Sequence, residues 1–239
     1  MTQISSDKLL VTLINAATRM AVTVWDRDGN IKLCNEFLAR GYMADSPLDV
    51  IGKNVRDFAP EEWAAERIDI ARKAIAMEQP ISLLEIQAAQ RLLIRFIPIS
   101  YDLGNEPGTD VLITVEFVTR NGYKNIVSDA YTEHTVHAHY NNLGVLDLLS
   151  NRELEVLALM GEGLRTRDIA KRIHRSVSTI ENHRENIGMK LGVKDRSILI
   201  AAANMAVLQV EDASRGRVRF PMEISPEDML ARYRKSAGV

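Results

Sequence analysis

Residues 150–193, SNRELEVLALMGEGLRTRDIAKRIHRSVSTIENHRENIGMKLGV, constrain this chain more than any other stretch, because helix starts, helix stops and apolar spacing follow one another in a single consistent order. Ser150 stands three residues before Glu153 at the head of an apolar-periodic run. That is a reciprocal capping pattern, and it predicts a first helix over 151–160. Gly161 and Gly163 end it, since glycine enters the left-handed conformation without a steric penalty. Thr166 is expected to cap a short second helix with Ile169, Ala170 and Ile173 on its buried side. His174-Arg175 form a tight turn, and Ser176 caps a third helix. On that helix Ile180, His183, Ile187 and Leu191 share the inner side, while Ser178, Asn182, Glu185 and Met189 form the outer row, flanked by Glu181 and Asn186. A short helix, a tight turn and a helix with an outward polar row make the shape that sets side chains against base edges in the major groove. Val177–Leu191 therefore reads as a recognition helix.

The positions Leu149-Ser150, Arg152-Glu153, Val156-Leu157, Gly163, Ile169-Ala170, Ser176, Thr179, His183, Ile187 and Lys190-Leu191-Gly192 resemble the LuxR/FixJ-type (GerE-like) helix-turn-helix domain. The resemblance implies an all-α four-helix unit that binds double-stranded DNA, with 195–206 as a last helix commonly used for dimerisation. It places Thr179 and Lys190 at phosphates, and Glu181, Asn182 and Glu185 toward the bases. Arg165, Thr166, Ser178 and Arg184 complete the expected DNA-binding set. Asparagine can bond adenine bidentately and glutamate can accept from cytosine N4. Two carboxylates facing a polyanion depart from the pattern unless they meet a base donor or Arg184, so the target sequence stays open. Gly188 is a second departure. A glycine inside a helix costs about 1 kcal/mol relative to alanine, and here it reads as room for DNA or another helix to come close.

With 239 residues the chain has room for two domains of ordinary size. Its net charge of −2 exerts no global pull on nucleic acid, but the charge is shared unevenly. Residues 145–206 hold ten Lys/Arg against eight Asp/Glu, and residues 1–120 hold thirteen against seventeen. So small a basic excess predicts modest nonspecific affinity and a homodimer as the DNA-binding form. Cys34 is the only cysteine, which excludes an intrachain disulfide and a CxxC site. There is no export signal, and no run approaches the roughly 18 consecutive apolar residues of a membrane span. The expectation is a cytoplasmic protein with no membrane partner.

Ahead of this unit, helical spacing of Leu9, Leu10, Leu13 and Ile14 gives way to strand candidates at 21–25 and 31–34, joined by Asp26-Arg27-Asp28-Gly29-Asn30. Short helices follow, then a longer one over 61–77, then strands at 81–87, 91–101 and 111–119. That order predicts an α+β domain, an antiparallel sheet with helices on one face. It resembles a PAS domain through Trp25-Asp26-Arg27-Asp28-Gly29-Asn30-Ile31 with Asn35, Ile51-Gly52-Lys53, Phe58-Ala59-Pro60, Pro98-Ile99 and Thr119-Arg120. A phosphoryl-receiver domain would need alternating βα units with an acidic pair after the first strand, whereas Asp26 and Asp28 sit in a turn. An acyl-homoserine-lactone sensor would need a pocket rich in Trp, Tyr and Asp, and only Trp25 and Trp63 are present. Residues 1–120 contain no histidine to ligate haem, and the order Cys34-Asn35 differs from the Asn-Cys-Arg helix of flavin photosensors of this fold. No cofactor is predicted. A small apolar ligand in the sheet–helix cleft stays open, as does no ligand at all, with the sheet or N-terminal helix serving as a dimer surface.

The chain thus divides into a PAS-like sensor and dimerisation domain at 1–120, a linker with a helical centre at 121–144, the helix-turn-helix domain at 145–208 and an extension at 209–239. In the linker, His134 and His137 would share a helix face and are candidate metal ligands, but His139 points away, so solvated linker histidines are the favoured reading and no metal site is predicted. The extension holds Arg215, Arg217 and Arg219, within reach of DNA phosphate or merely solvated, and a helix start at Ser225-Pro226-Glu227-Asp228. No nucleophile–base pair, phosphate loop or metal cluster stands at usable spacing, so an enzyme is not expected. The functional expectation is a dimeric, sequence-specific transcription regulator whose PAS-like half senses a small molecule or partner. The rival is an adaptor that binds a protein through the acidic face of the third helix.

Overall fold

The computed structural model describes residues 20–42, 44–102, 107–128 and 134–220. The helices expected near 9–17 and 225–235 lie outside them. Strands β1 (Ala21–Trp25) and β2 (Ile31–Cys34) form the first hairpin. In its turn the Asp26 carboxylate accepts the backbone N–H groups of Asp28 and Asn30, each at 2.9 Å. Asn35 caps α1 (Glu36–Gly41), accepting from the N–H of Leu38. Two single-turn helices, Pro47–Asp49 and Val55–Asp57, are closed by Ser46 and Asn54 through capping boxes, and lead into α2 (Glu61–Met77). Then come β3 (Ile81–Gln87), β4 (Gln90–Asp102) and β5 (Pro107–Phe117). The sheet order is β2-β1-β5-β4-β3, all antiparallel. Trp63, Ile68 and Ala71 of α2 bury against Trp25, Leu83, Ile94, Phe96 and Ile113 of one sheet face.

This core is not purely apolar. Arg67 on α2 and Glu85 on β3 form an ion pair with both side chains only 1% exposed. Trp63 Nε1 donates to Glu85 at 3.2 Å, and Arg67 Nη1 donates to Glu66 at 2.7 Å. Burial pulls the Arg67 guanidinium down to about 10, against the opposing pull of Glu66. Since the Arg67 ion stays charged at neutral pH, its partners are obligatory.

The segment expected as a linker is built into the sheet. Helix α3 (Arg120–Ser128) packs Tyr123 and Ile126 on Leu84, Leu93 and Val118, and β6 (Thr135–His137) runs parallel to β3 as a sixth strand. The physical reason is the edge of β3, whose unpaired groups need partners. Leu84 O accepts from Ala138 N at 2.9 Å, Ile86 O from Asn142 N at 2.9 Å, and Ile86 N donates to Asn141 Oδ1 at 2.9 Å. The histidines therefore do not share a helix face and do not converge. His134 bonds Gln79 at 2.6 Å, half-buried His137 lies edge-on to the Tyr123 ring, and His139 bonds Glu66 at 2.8 Å. Among the described residues no group of three His, Cys, Asp or Glu side chains is placed to hold a metal.

Helices α4 (Asn151–Gly161), α5 (Thr166–Arg172), α6 (Val177–Leu191) and α7 (Arg196–Met205) form the C-terminal unit. Its core also takes in Ile86 and Ala89 of the sheet domain. The β3–β4 turn does this with Ala88 and Ala89 both at positive φ (47° and 56°), the two-residue geometry that continues strand twist. Gly144 (φ +52°) lets the chain pass the turn, since a Cβ there would lie 3.2 Å from the Ala88 backbone. Ile198, Leu199, Ala201, Ala202 and Ala203 of α7 are buried within the same chain. Beyond α7, the turn Val210–Ser214 leads to β8 (Gly216–Arg217), paired with β7 (Tyr140–Asn141). Arg215 and Arg217 are largely withdrawn from solvent and bond backbone carbonyls, whereas Arg219 stays exposed and pairs with Asp147. No described helix is long and apolar enough to cross a membrane.

Glu85→Ala strands the Arg67 charge with Glu66 alone and orphans Trp63 Nε1. It should cost about 3 kcal/mol in urea unfolding, whereas Arg67→Met with Glu85→Leu should recover most of that loss.

Candidate nucleic-acid interface

The capping residues set the shape of the outer surface. Ser150 accepts from Glu153 N at 3.3 Å while Glu153 Oε2 accepts from Ser150 N at 2.7 Å, which fixes the start of α4. Thr166 is not the cap of α5. Arg165 holds the cap position with extended backbone (φ −79°, ψ 158°) and no side-chain cap bond, and Thr166 is the first helical residue. Its hydroxyl accepts instead from Arg184 Nη1 at 3.2 Å, tying α5 to α6. The turn between those helices puts His174 at φ 52° and returns Arg175 N to Ala170 O at 2.9 Å. Ser176 then caps α6, accepting from Thr179 N at 3.1 Å.

Along α6, Ile180, Ile187 and Leu191 are buried and His183 is half-buried, as the spacing predicts. Ser178, Glu181, Asn182, Glu185 and Met189 are exposed on the other side, and Thr179 is half-buried at its start. Glu181 and Glu185 have no ion pair among the described residues. Arg184, the expected neutralising partner, is turned away from them to Thr166.

Lys190 is held within the domain. Its Nζ lies 2.6 Å from Glu153 Oε2, so one carboxylate both closes the cap of α4 and grips the end of α6. Burial alone would raise the Glu153 carboxyl, but hydrogen bonds from Lys190 and Ser150 outweigh it and hold the group below its ordinary 4.5. Arg165 at the cap of α5, Arg167 and Lys171 on it, and Arg175 in the turn before α6 are exposed. Of these only Arg165 was anticipated from the sequence. The signal for the others is that Arg167, Lys171 and Arg175 sit off the Ile169, Ala170 and Ile173 face.

Gly188 has a specific structural cause. A Cβ there would lie 2.6 Å from Val193 O, because the chain folds back over the helix end with Val193 N bonded to Gly188 O at 2.8 Å and Gly192 left-handed at φ 64°. The close neighbour is thus the protein's own backbone, rather than the DNA or second helix expected.

A helix-turn-helix unit carried on an α+β domain is the class these features define. Residues 147–203 match the luxR family of bacterial regulatory proteins and residues 16–115 match the PAS fold, so the chain carries a luxR-family domain behind a PAS domain. The oxygen regulatory protein NreC of Staphylococcus haemolyticus (strain JCSC1435) is 31% identical over 109 residues, 43% of this chain and 50% of that protein. NreC of Staphylococcus aureus (strain JH9) is 28% identical over 109 residues, with the same coverage of 43% and 50%. The match thus spans about half the length of the curated relatives. A crystal structure of a Vibrio cholera VqmA–ligand–DNA complex shares the fold at a TM-score of 0.50 and 16% identity, covering 93% of this chain and 99% of that one.

Gly188→Ala should lower stability by about 1–3 kcal/mol despite alanine's better helix propensity, because backbone must move; thermal unfolding measures the sign. Glu153→Gln should cost about 1 kcal/mol at pH 7. A depressed carboxyl stabilises above its unfolded value and loses that contribution as pH falls through the folded one. Wild type and variant should therefore converge in urea titrations well below pH 4.5.

Proposed function

We propose that this chain is a cytoplasmic, sequence-specific DNA-binding transcription regulator that works as a homodimer. The PAS domain senses a small molecule or partner and alters how two helix-turn-helix units are presented. The observation that carries this reading is the exposed polar row Ser178, Glu181, Asn182 and Glu185, with exposed Arg165, Arg167, Lys171 and Arg175 on the preceding helix and turn, in a segment that matches the luxR family. Asn182 reads adenine, Glu181 and Glu185 accept from cytosine N4, and Thr179, Thr166, Arg184 and Lys190 serve phosphates or hold the helices that reach them. A two-fold dimer reads half-sites about one helical turn, ~10 bp, apart. The division into sensor (1–120), reading unit (145–208) and extension (209–239) belongs to the proposal, with the expected linker 121–144 counted with the sheet it joins. So does a sensor without haem or flavin: Cys34 is buried and its thiol pushed up to about 11 by desolvation, which leaves it protonated and unreactive at neutral pH.

Two unpaired carboxylates on the outer row favour one second reading, an adaptor that presents this face to a basic protein. Selection on random duplex DNA separates the two. The regulator yields an enriched palindrome, loses about 10-fold or more in affinity on Asn182→Ala, and weakens steeply with salt. An unenriched pool, or affinity indifferent to both Asn182→Ala and Lys190→Ala, overturns the DNA reading.

A further inference from the structure

Neither matched domain covers the chain after 203 or between 115 and 147, yet that chain holds the two domains together. Asp212, 2% exposed, forms an ion pair with Arg91 of β4, 1% exposed. Arg91 Nη2 also donates to Val207 O at 3.3 Å, and its guanidinium lies over the Tyr123 ring of α3. Gln209 N donates to Asp212 Oδ2 at 2.8 Å, which shapes the turn that delivers the carboxylate. Arg215 donates to Ala138 O at 2.7 Å. Gly216 N donates to His139 O at 2.8 Å and Val218 N to Asn141 O at 3.0 Å. Arg217 reaches the other way, to Leu149 O at 2.8 Å and Asn151 Oδ1 at 2.7 Å, at the start of α4. On the sheet side, Arg120 of α3 donates to Asn204 Oδ1 at 2.8 Å, and a Cβ on Gly161 would lie 2.9 Å from its Nη2.

We infer that residues 207–219 are a clasp that sets the orientation of the DNA-reading unit on the PAS sheet, with Arg91 and Asp212 as its positioning residues. The chain enters the helical unit through 141–150 and leaves it through 206–219, and the clasp bonds both passages to each other and to β4. An apolar contact tolerates sliding. A buried ion pair does not, because any displaced arrangement leaves two desolvated charges unpaired. His137 beside this pair is kept below its ordinary value by burial, then by Arg215 and Arg91, so at neutral pH it adds no further cation. A fixed orientation of α6 relative to the PAS domain fixes, in a dimer, the half-site spacing that both units can meet together. That consequence rests on the DNA reading proposed above; the clasp itself does not.

The test uses the full-length protein in two arms, small-angle scattering without DNA and selection on duplexes of varied half-site spacing. Arg91→Ala, Asp212→Ala and the half-exposed Arg217→Ala should each raise the radius of gyration by roughly a tenth. They should broaden the accepted spacings and lower affinity for the best two-site duplex by ~10-fold, while affinity for a single half-site stays within about twofold. Asp212→Glu should restore the wild-type profile. If Arg91→Ala or Asp212→Ala fails to fold, Arg217→Ala decides. An unchanged radius of gyration together with an unchanged spacing preference overturns the clasp. Should the wild type select no duplex, the DNA reading has failed and scattering alone decides the clasp.

Discussion

Asp212 and Arg91 have both been withdrawn from water, and each is tolerable there only while it faces the other. The pair joins a strand of the sheet to a turn that follows the last helix, more than a hundred residues later in sequence. Around it the β3–β4 turn pushes Ala89 into the helical core, and α7 leaves Ala203 against Gly161. Ile86 and Ala89 of the sheet domain thus join the core of the helical unit, and the ion pair ties the same two parts together. Arg91 lies on the strand whose neighbour β3 carries Glu85, the counter-ion of the buried Arg67 on α2, so the two buried ion pairs stand on adjacent strands.

Glu153 plays a comparable part inside the reading unit. Its carboxylate closes the cap of α4 and receives Lys190 from the far end of α6, so two helices that diverge in sequence share one charged contact. Arg184 and Thr166 make the matching link between α5 and α6. On the outer row Ser178 bonds Ser176, while Glu181 and Glu185 have no ion pair among the described residues, which suits a surface whose contacts are supplied by another molecule. Its two carboxylates narrow what that molecule can offer to hydrogen-bond donors or cations.

Much of this was legible because it is local. The strands Ala21–Trp25, Ile31–Cys34 and Ile81–Gln87 and the helices Glu61–Met77 and Val177–Leu191 follow from periodicity of two or 3.6 and from punctuation by Gly, Pro and capping residues. The outward row of Val177–Leu191 is legible for the same reason. Thr166 misled because hydroxyl identity marks a cap only where the backbone is extended, and that condition belongs to Arg165. The three histidines misled because a weakly patterned segment takes its structure from what it pairs with, here the open edge of β3. Arg215 and Arg217 looked solvent-directed because arginine usually is, yet carbonyls of residues 138 and 149 were waiting for them, and only Arg219 stays largely in solvent.

What the sequence determined by itself is the inventory: an α+β domain, then a capped helix-turn-helix whose third helix turns Ser178, Glu181, Asn182 and Glu185 outward. Hydrophobic period and capping act over a few residues, so they are readable one window at a time. Only the tertiary structure decided the rest, namely that Lys190 is gripped by Glu153, that Gly188 makes room for the chain's own return, and that the arginine-rich tail closes onto the sheet. Those outcomes depend on which unsatisfied donors, acceptors and charges meet after collapse. That is a property of residues far apart in sequence, and no local pattern encodes it.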